Sequence, residues 1–226
     1  MSNLATLEEV LGYSFQNKDL LKQALTHRSY LNENPDFTLG HNERLEFYGE
    51  AILEDIVTGH LFHHYQDKNE GELTNLRAAL VRGAHLAQVA DKISLDQYIN
   101  ISNGERNDPS AKAYITANAI EALIAAMRLD GGYEAAQRFI ETFIIVDLDT
   151  ILAEKSFIDA KSLLQEKVQE KYGITPKYEV IAEQGPDHNK TFEVAVYVGD
   201  VEYARGMGSS KQKAEQDAAK NSLHNM

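Results

Sequence analysis

The chain has no cysteine, which excludes disulfides and Cys-based zinc sites and fits a reducing cytosol. It also lacks any uninterrupted apolar run of membrane-spanning length, so no membrane partner is expected. The first ten residues, MSNLATLEEV, hold neither a basic segment nor an apolar stretch; no signal peptide is expected, and the expected location is cytoplasmic. Tandem repeats and low-complexity segments are absent, and no Ser/His/Asp or Cys/His arrangement suggests a nucleophilic chemistry. Positive charge is scarce. The 22 Lys+Arg against 35 Asp+Glu leave a net charge of −13, which argues against broad electrostatic attraction to nucleic acid. The deficit is uneven, however. Residues 157–226 carry 9 Lys+Arg against 11 Asp+Glu, and the rest of the chain carries 13 against 24.

What is present describes an ordinary globular protein of 226 residues, 43% hydrophobic and 25% charged, with room for one large or two modest domains. Up to about Leu152 apolar residues recur at helical spacing, in Leu20–Leu31, Leu45–Phe62, Leu73–Val89, Ala113–Leu129 and Ala135–Ile145. Asn103–Asp108 with Pro109 reads as a loop, and Gly131–Gly132 as a helix stop. Around Asp147–Phe157 the pattern changes, as in a short linker. After it, Ala160–Lys171 reads as an amphipathic helix with Leu163, Leu164 and Val168 as its apolar side. Strands are expected at Lys177–Glu183, Thr191–Val198 and Glu202–Arg205, with Phe192, Val194, Val196 and Val198 on one face. Ser209 then fits an N-cap for a helix to about Leu223. The fold class is two domains: an all-α domain over 1–152, then an α+β domain of order α-β-β-β-α over 157–226.

Two stretches carry candidate chemistry. In Glu43-Arg44-Leu45-Glu46-Phe47-Tyr48-Gly49-Glu50-Ala51, the carboxylates Glu43, Glu46, Glu50 and Glu54 fall in one helical stripe, with Leu45, Tyr48, Ile52 and Ile56 opposite. Like charges at i,i+4 cost a helix roughly 0.2–0.5 kcal/mol per pair. The stripe alone reads first as a solvated face; the alternative is an oxygen-ligated divalent cation, with Asn118 to Leu123 supplying partners. The second stretch is GMGSSKQKAEQDAAK. There Lys211 and Lys213 sit at a helix N-terminus, where cations oppose the macrodipole unless an anion binds. The bland alternative is that they only solubilise, offset by Glu215 and Asp217.

A resemblance decides between these readings. HNERLEFYGEAIL (His41–Leu53) resembles the signature of the ribonuclease III family, usually close to NERLEFLGDSVL. SFQNKDLLKQALTHRSYLN resembles the family's opening helix and its ALTHxSY run, EGELTNLRAALV its next helix, and the last seventy residues its double-stranded-RNA-binding domain. The resemblance implies a metal-dependent endoribonuclease that hydrolyses phosphodiesters of double-stranded RNA through metal-activated water, leaving a 5′-phosphate and a 3′-hydroxyl. Carried over residue by residue, Glu46, Glu50, Asn118 and Glu121 match the metal ligands. Glu43 and Glu70 match further acidic positions of the cleavage valley, so the expected catalytic set is Glu50, Glu121, Glu43 and Glu70. Mg²⁺ is the implied ion, with Mn²⁺ able to substitute, and no small-molecule cofactor is implied. Gln165 and Glu166 match minor-groove contacts, His188 in GPDHNKTF a turn contact, and Lys211 and Lys213 phosphate contacts. A homodimer through the N-terminal domain is implied, with Phe47 and Tyr48 as candidate anchors.

Three positions depart from the family pattern. Glu50 stands for Asp, which lengthens a ligand by one methylene. Asn118 stands for Asp, which removes one formal charge. Ala125 stands for Gly in EALIGA, on the face of Asn118 and Glu121, where its methyl is expected to crowd the site. The alternative function is therefore a weakened or inactive relative that binds double-stranded RNA as a dimer.

Overall fold

The computed structural model describes residues 4–154, 160–186 and 190–226. They fall into two compact units, Met1–Phe157 and Ile158–Met226. Among the described residues no helix is long and apolar enough to cross a membrane.

The first unit is helical: α1 (Leu4–Leu11), α2 (Lys18–Ala24), α3 (Arg28–Glu33), α4 (Glu43–His64), α5 (Glu70–Val81), α6 (Gly83–Lys92), α7 (Asn103–Arg106), α8 (Pro109–Gly131), α9 (Tyr133–Phe143) and α10 (Leu148–Glu154). Its centre is α8, where Ile115, Ala117, Ala119, Ile120 and every residue from Ala122 to Met127 are buried. A row of alanines lets neighbouring helices approach closely. The start of α8 follows from its sequence: the Asp108 carboxylate accepts from the Ser110 and Ala111 amides, and Pro109 takes the first turn, where no N–H is needed. Helix α4 begins differently. Asn42 makes no side-chain cap; its buried amide instead donates to the Ala24 carbonyl at 3.2 Å, tying the start of α4 to the end of α2. Helix α5 carries a full capping box between Asn69 and Glu72.

The closest approach lies between α4 and α8. A Cβ built on Gly49 would lie 1.8 Å from the Glu121 carbonyl oxygen, so these backbones meet where only glycine fits.

Several expectations are corrected. The apolar stretch Leu20–Leu31 is two helices, α2 and α3, separated at Leu25–His27, and Leu73–Val89 divides into α5 and α6 at Arg82. The loop expected at Asn103–Asp108 holds the short helix α7, capped by Ser102, because Ser102 Oγ accepts from the Glu105 amide. The linker expected at Asp147–Phe157 is largely α10, whose Leu148 and Ile151 are buried in the first unit's core; its end lies outside the described residues. Tyr48, placed among the core-facing residues, is exposed, while Leu45, Ile52 and Ile56 are buried as expected.

The second unit runs α11 (Ala160–Tyr172), β1 (Lys177–Gln184), β2 (Thr191–Val198), β3 (Val201–Gly208) and α12 (Lys211–Asn225). The strands form one antiparallel sheet in the order β1-β2-β3. Leu164 and Val168 of α11, Val196 and Val198 of β2, and Ala218 and Ala219 of α12 make its small core. Phe192, expected beside Val194, is only half-buried. Strand β3 is longer than expected because Gly206 lets α12 lie directly on it; a Cβ there would meet the Ala218 amide nitrogen at 2.0 Å. The N-cap is Ser210, one residue later than expected: its Oγ accepts from the Lys213 amide. The observed class is the expected one, an all-α unit followed by an α-β-β-β-α unit.

Candidate active site and nucleic-acid interface

The contact at Gly49 builds the candidate site. Because α4 and α8 touch there, Glu46 and Glu50, one turn apart on α4, face Asn118 and Glu121 of α8 across a cleft of about 490 Å³. Val81, Gly83, Ala84 and Ala87 close one side, and Ala113, Tyr114 and Ala117 the other. Apart from the exposed Tyr114 the walls are small and apolar; Glu46 and Glu121 are partly cut off from water, while Glu50 is exposed. Glu121 shows the consequence: burial, with the Glu50 and Glu46 charges added, pushes its carboxyl up to about 7. Burial and the Glu43 charge also raise Glu46, against which the Asn118 side chain stabilises the carboxylate by a hydrogen bond. Asn118 thus places a neutral polar side chain beside Glu46, where an ionised Asp would add a further negative charge.

The other predicted acids lie apart. Glu43 does not line the cleft; it faces Arg28 Nη1 at 3.4 Å and His41 Nδ1 at 3.7 Å, and acts on Glu46 through its charge. Glu70 accepts from Thr74 Oγ1 at 3.2 Å and lines a separate groove of about 400 Å³ with Leu61, Phe62, Leu73 and Arg77. The single chain does not bring Glu70 to the cleft. Ala125 is fully buried in the helical core and does not line the cleft, so the expected crowding by its methyl is absent. Two contributors escaped the sequence reading. Gly49 had a signal, since glycine inside a helix costs about 1 kcal/mol relative to Ala. Tyr114 had one too: it precedes Asn118 by one turn and is 66% exposed beside the acids.

In the second unit Gln165 and Glu166 are exposed on α11, and Lys211 and Lys213 are exposed in the first turn of α12. Lys213 Nζ donates to Ser209 Oγ at 3.3 Å. Lys211 Nζ lies 3.1 Å from Glu183 and over the Phe192 ring. His188 lies outside the described residues.

A helical unit with carboxylates gathered in a cleft, joined to an α-β-β-β-α unit with lysines at its last helix, defines a class: a nuclease domain coupled to a duplex-RNA-binding domain. Comparison with known proteins makes this particular. Residues 17–148 match the Ribonuclease-III-like family, and residues 160–226 match the double-stranded RNA binding motif. The chain is 41% identical to ribonuclease 3 of Campylobacter fetus subsp. fetus over 227 residues, covering 100% of this chain and 99% of that one. It is 42% identical to ribonuclease 3 of Borreliella burgdorferi, over 100% of this chain and 92% of that one. Among solved structures it is similar to the nuclease domain of ribonuclease III from Campylobacter jejuni, described for a region involved in dimer formation, with a TM-score of 0.57 and 38% identity over 63% of this chain and 96% of that one.

The chain belongs to the ribonuclease III family and is an endoribonuclease of double-stranded RNA. Nothing in the fold or the relatives favours the inactive alternative.

The family is metal-dependent, and the cleft's donor chemistry fits a hard divalent cation: three carboxylates and one amide, all oxygen donors, with mutual repulsion that a cation relieves. Among the described residues no three His, Cys, Asp or Glu side chains already converge as a metal-holding group. Glu46, Glu50 and Glu121 thus line one cleft without being drawn together into a closed ligand set.

Proposed function

We propose that Glu46, Glu50, Asn118 and Glu121 hold Mg²⁺, with Mn²⁺ as substitute, and that this cleft cuts duplex RNA to leave a 5′-phosphate and a 3′-hydroxyl. The observation that carries the reading is the crowding of Glu121 by Glu46 and Glu50 in an apolar-walled cleft, with its carboxyl pushed up to about 7. A bound ion supplies there a water of lowered pKa and neutralises charge on the attacked phosphate. The chain's own part is positional. Gly49 sets the distance between the helices, Asn118 orients the Glu46 carboxylate, and the small residues of α5 and α6 exclude water. Glu43 and Glu70 act as further acidic positions of the valley. Because Glu70 lies in its own groove, its share in the reaction requires a second copy of the chain.

That second copy comes from a homodimer of the N-terminal domain, residues 1–152. Phe47, 78% exposed at the start of α4, and Tyr48 beside it are the anchors. Residues 157–226 bind the duplex: Gln165 and Glu166 in the minor groove, His188 as a further RNA contact, and Lys211 and Lys213 on phosphates. The site of action is the cytoplasm.

The test is Glu121→Gln. It should abolish cleavage of duplex RNA in both Mg²⁺ and Mn²⁺ and leave duplex binding intact. Cleavage at the unmodified rate by this variant would remove Glu121, and with it the proposed ligand set.

A further inference from the structure

Lys211 does not stand alone at the start of α12. Glu183, near the end of β1, reaches it: Lys211 Nζ lies 3.1 Å from Glu183 Oε1, and Lys190 Nζ lies 3.4 Å from Glu183 Oε2. The Lys211 ammonium also stands 5.6 Å from the centroid of the Phe192 ring. One carboxylate thus bridges two ammonium groups, using one oxygen for each. This arrangement adds little to the stability of the fold, since Lys211 and Glu183 are both exposed and solvent screens the pair. What it does is present a carboxylate where two cations converge. Two anionic oxygens carried on one centre are also what the non-bridging side of a phosphodiester offers.

We infer that Glu183 is an affinity-setting residue: it occupies, between Lys211 and Lys190, the place that an RNA phosphate takes on binding, and the duplex must displace it. The inference rests on the proposed reading of Lys211 as a phosphate contact. Each binding event then exchanges one ion pair for another, and gains less than a bare pair of lysines provides. Release is correspondingly quicker. An enzyme that must let go of duplex products gains turnover from such a resident competitor, because contacts made equally by substrate and product hold both.

The experiment uses the full chain without divalent cations, so that binding alone is read, and an RNA duplex of about 20 base pairs, enough to cover the roughly 16 such a domain spans. Fluorescence anisotropy over a salt series gives the affinity and its salt slope. Glu183→Gln is expected to bind about two- to fivefold tighter, with a salt slope steeper by nearly one counterion. Glu179→Gln is the control: it removes the same charge from the same strand, roughly 13 Å away along β1. In a Lys211→Ala background the gain from Glu183→Gln should shrink to less than half. A gain no larger than that of Glu179→Gln, or one that survives Lys211→Ala undiminished, overturns the inference while the phosphate reading stands. If Lys211→Ala alone leaves the affinity unchanged, the phosphate reading is retired and the inference with it.

Discussion

The cleft of the nuclease unit and the surface of the RNA-binding unit treat charge in opposite ways. In the cleft like charges are gathered, and among the described residues no cation pairs with them: Glu46, Glu50 and Glu121 share it, and the Glu121 carboxyl is pushed up to about 7. In the RNA-binding unit opposite charges are paired at or near the surface. Lys211 and Lys190 share Glu183, Lys161 meets Glu215, and Arg205 is held between Glu202 and Glu193. Burial makes the difference. A desolvated carboxylate cluster stores repulsion that a cation can release, whereas exposed pairs are screened and exchange readily for a new anion. On the proposed reading, one unit would hold a small hard ion and the other a long polyanion.

The contrast breaks most completely at Gly49. With a Cβ 1.8 Å from the Glu121 carbonyl oxygen, Gly49→Ala forces α4 from α8 and disperses the carboxylates. We expect a loss of about 3 kcal/mol in denaturant titration and loss of cleavage, with RNA binding retained. A variant of unchanged stability and activity would show that the close approach is not what makes the site.

Reversing the exposed lysines attacks the other side of the contrast. Lys211→Glu with Lys213→Glu should abolish most duplex-RNA binding and leave the melting of the nuclease unit unchanged. Binding should also fall with salt and be much weaker for double-stranded DNA. Equal affinity for both duplexes would undo this side of the comparison.

Restoring Asp at positions 50 and 118 sharpens the contrast. It adds a fourth charge to the cleft and removes the donor that Asn118 offers Glu46. Without metal the double variant should be less stable by about 1–3 kcal/mol; with Mg²⁺ it should cleave faster than the unmodified chain. A variant slower in Mg²⁺ would mean that Glu50 and Asn118 suit this site better than the usual pair.

The smallest effect is expected where the nuclease unit itself pairs a carboxylate. Burial raises the Asp147 pKa, but hydrogen bonds from Lys92 and His85 outweigh it and hold it below the usual range. A depressed folded pKa contributes stability above the unfolded value near 3.9 and loses it as pH falls through the folded value. Asp147→Asn should therefore cost about 1 kcal/mol at neutral pH and flatten the acid limb of the stability curve. An acid limb as steep as before would assign it to other carboxylates.

Much of this was legible in the chain. Thr191–Val198 alternates in polarity and is a strand over those same residues, because a sheet with one buried face imposes period two. Gly131–Gly132 stops α8 where glycine was read as a stop. The family motifs named the acids of the cleft and the lysines of α12. Boundaries fared less well where tertiary contacts overrode local pattern. Asp147–Phe157 looked like a linker, yet α10 forms there because Leu148 and Ile151 find room in the core. Tyr48 shares with Leu45, Ile52 and Ile56 the side of α4 opposite the acids, yet it alone of the four is exposed.

The sequence by itself determined the two-domain order, the helical spacing of Glu46 and Glu50, and the residue types at positions 118 and 121, since these follow from local periodicity and composition. Only the tertiary structure decided which acids meet. Glu70 and Glu54 belong to the same acidic region of sequence as Glu50 but stay outside the cleft, and Ala125 turns into the core. It also decided that Lys211, at the start of α12, comes with a carboxylate partner from strand β1. The physical reason is that ion pairs, burial and helix contact depend on distances through space, and residues 49 and 121, or 183 and 211, become neighbours only once the backbone has folded.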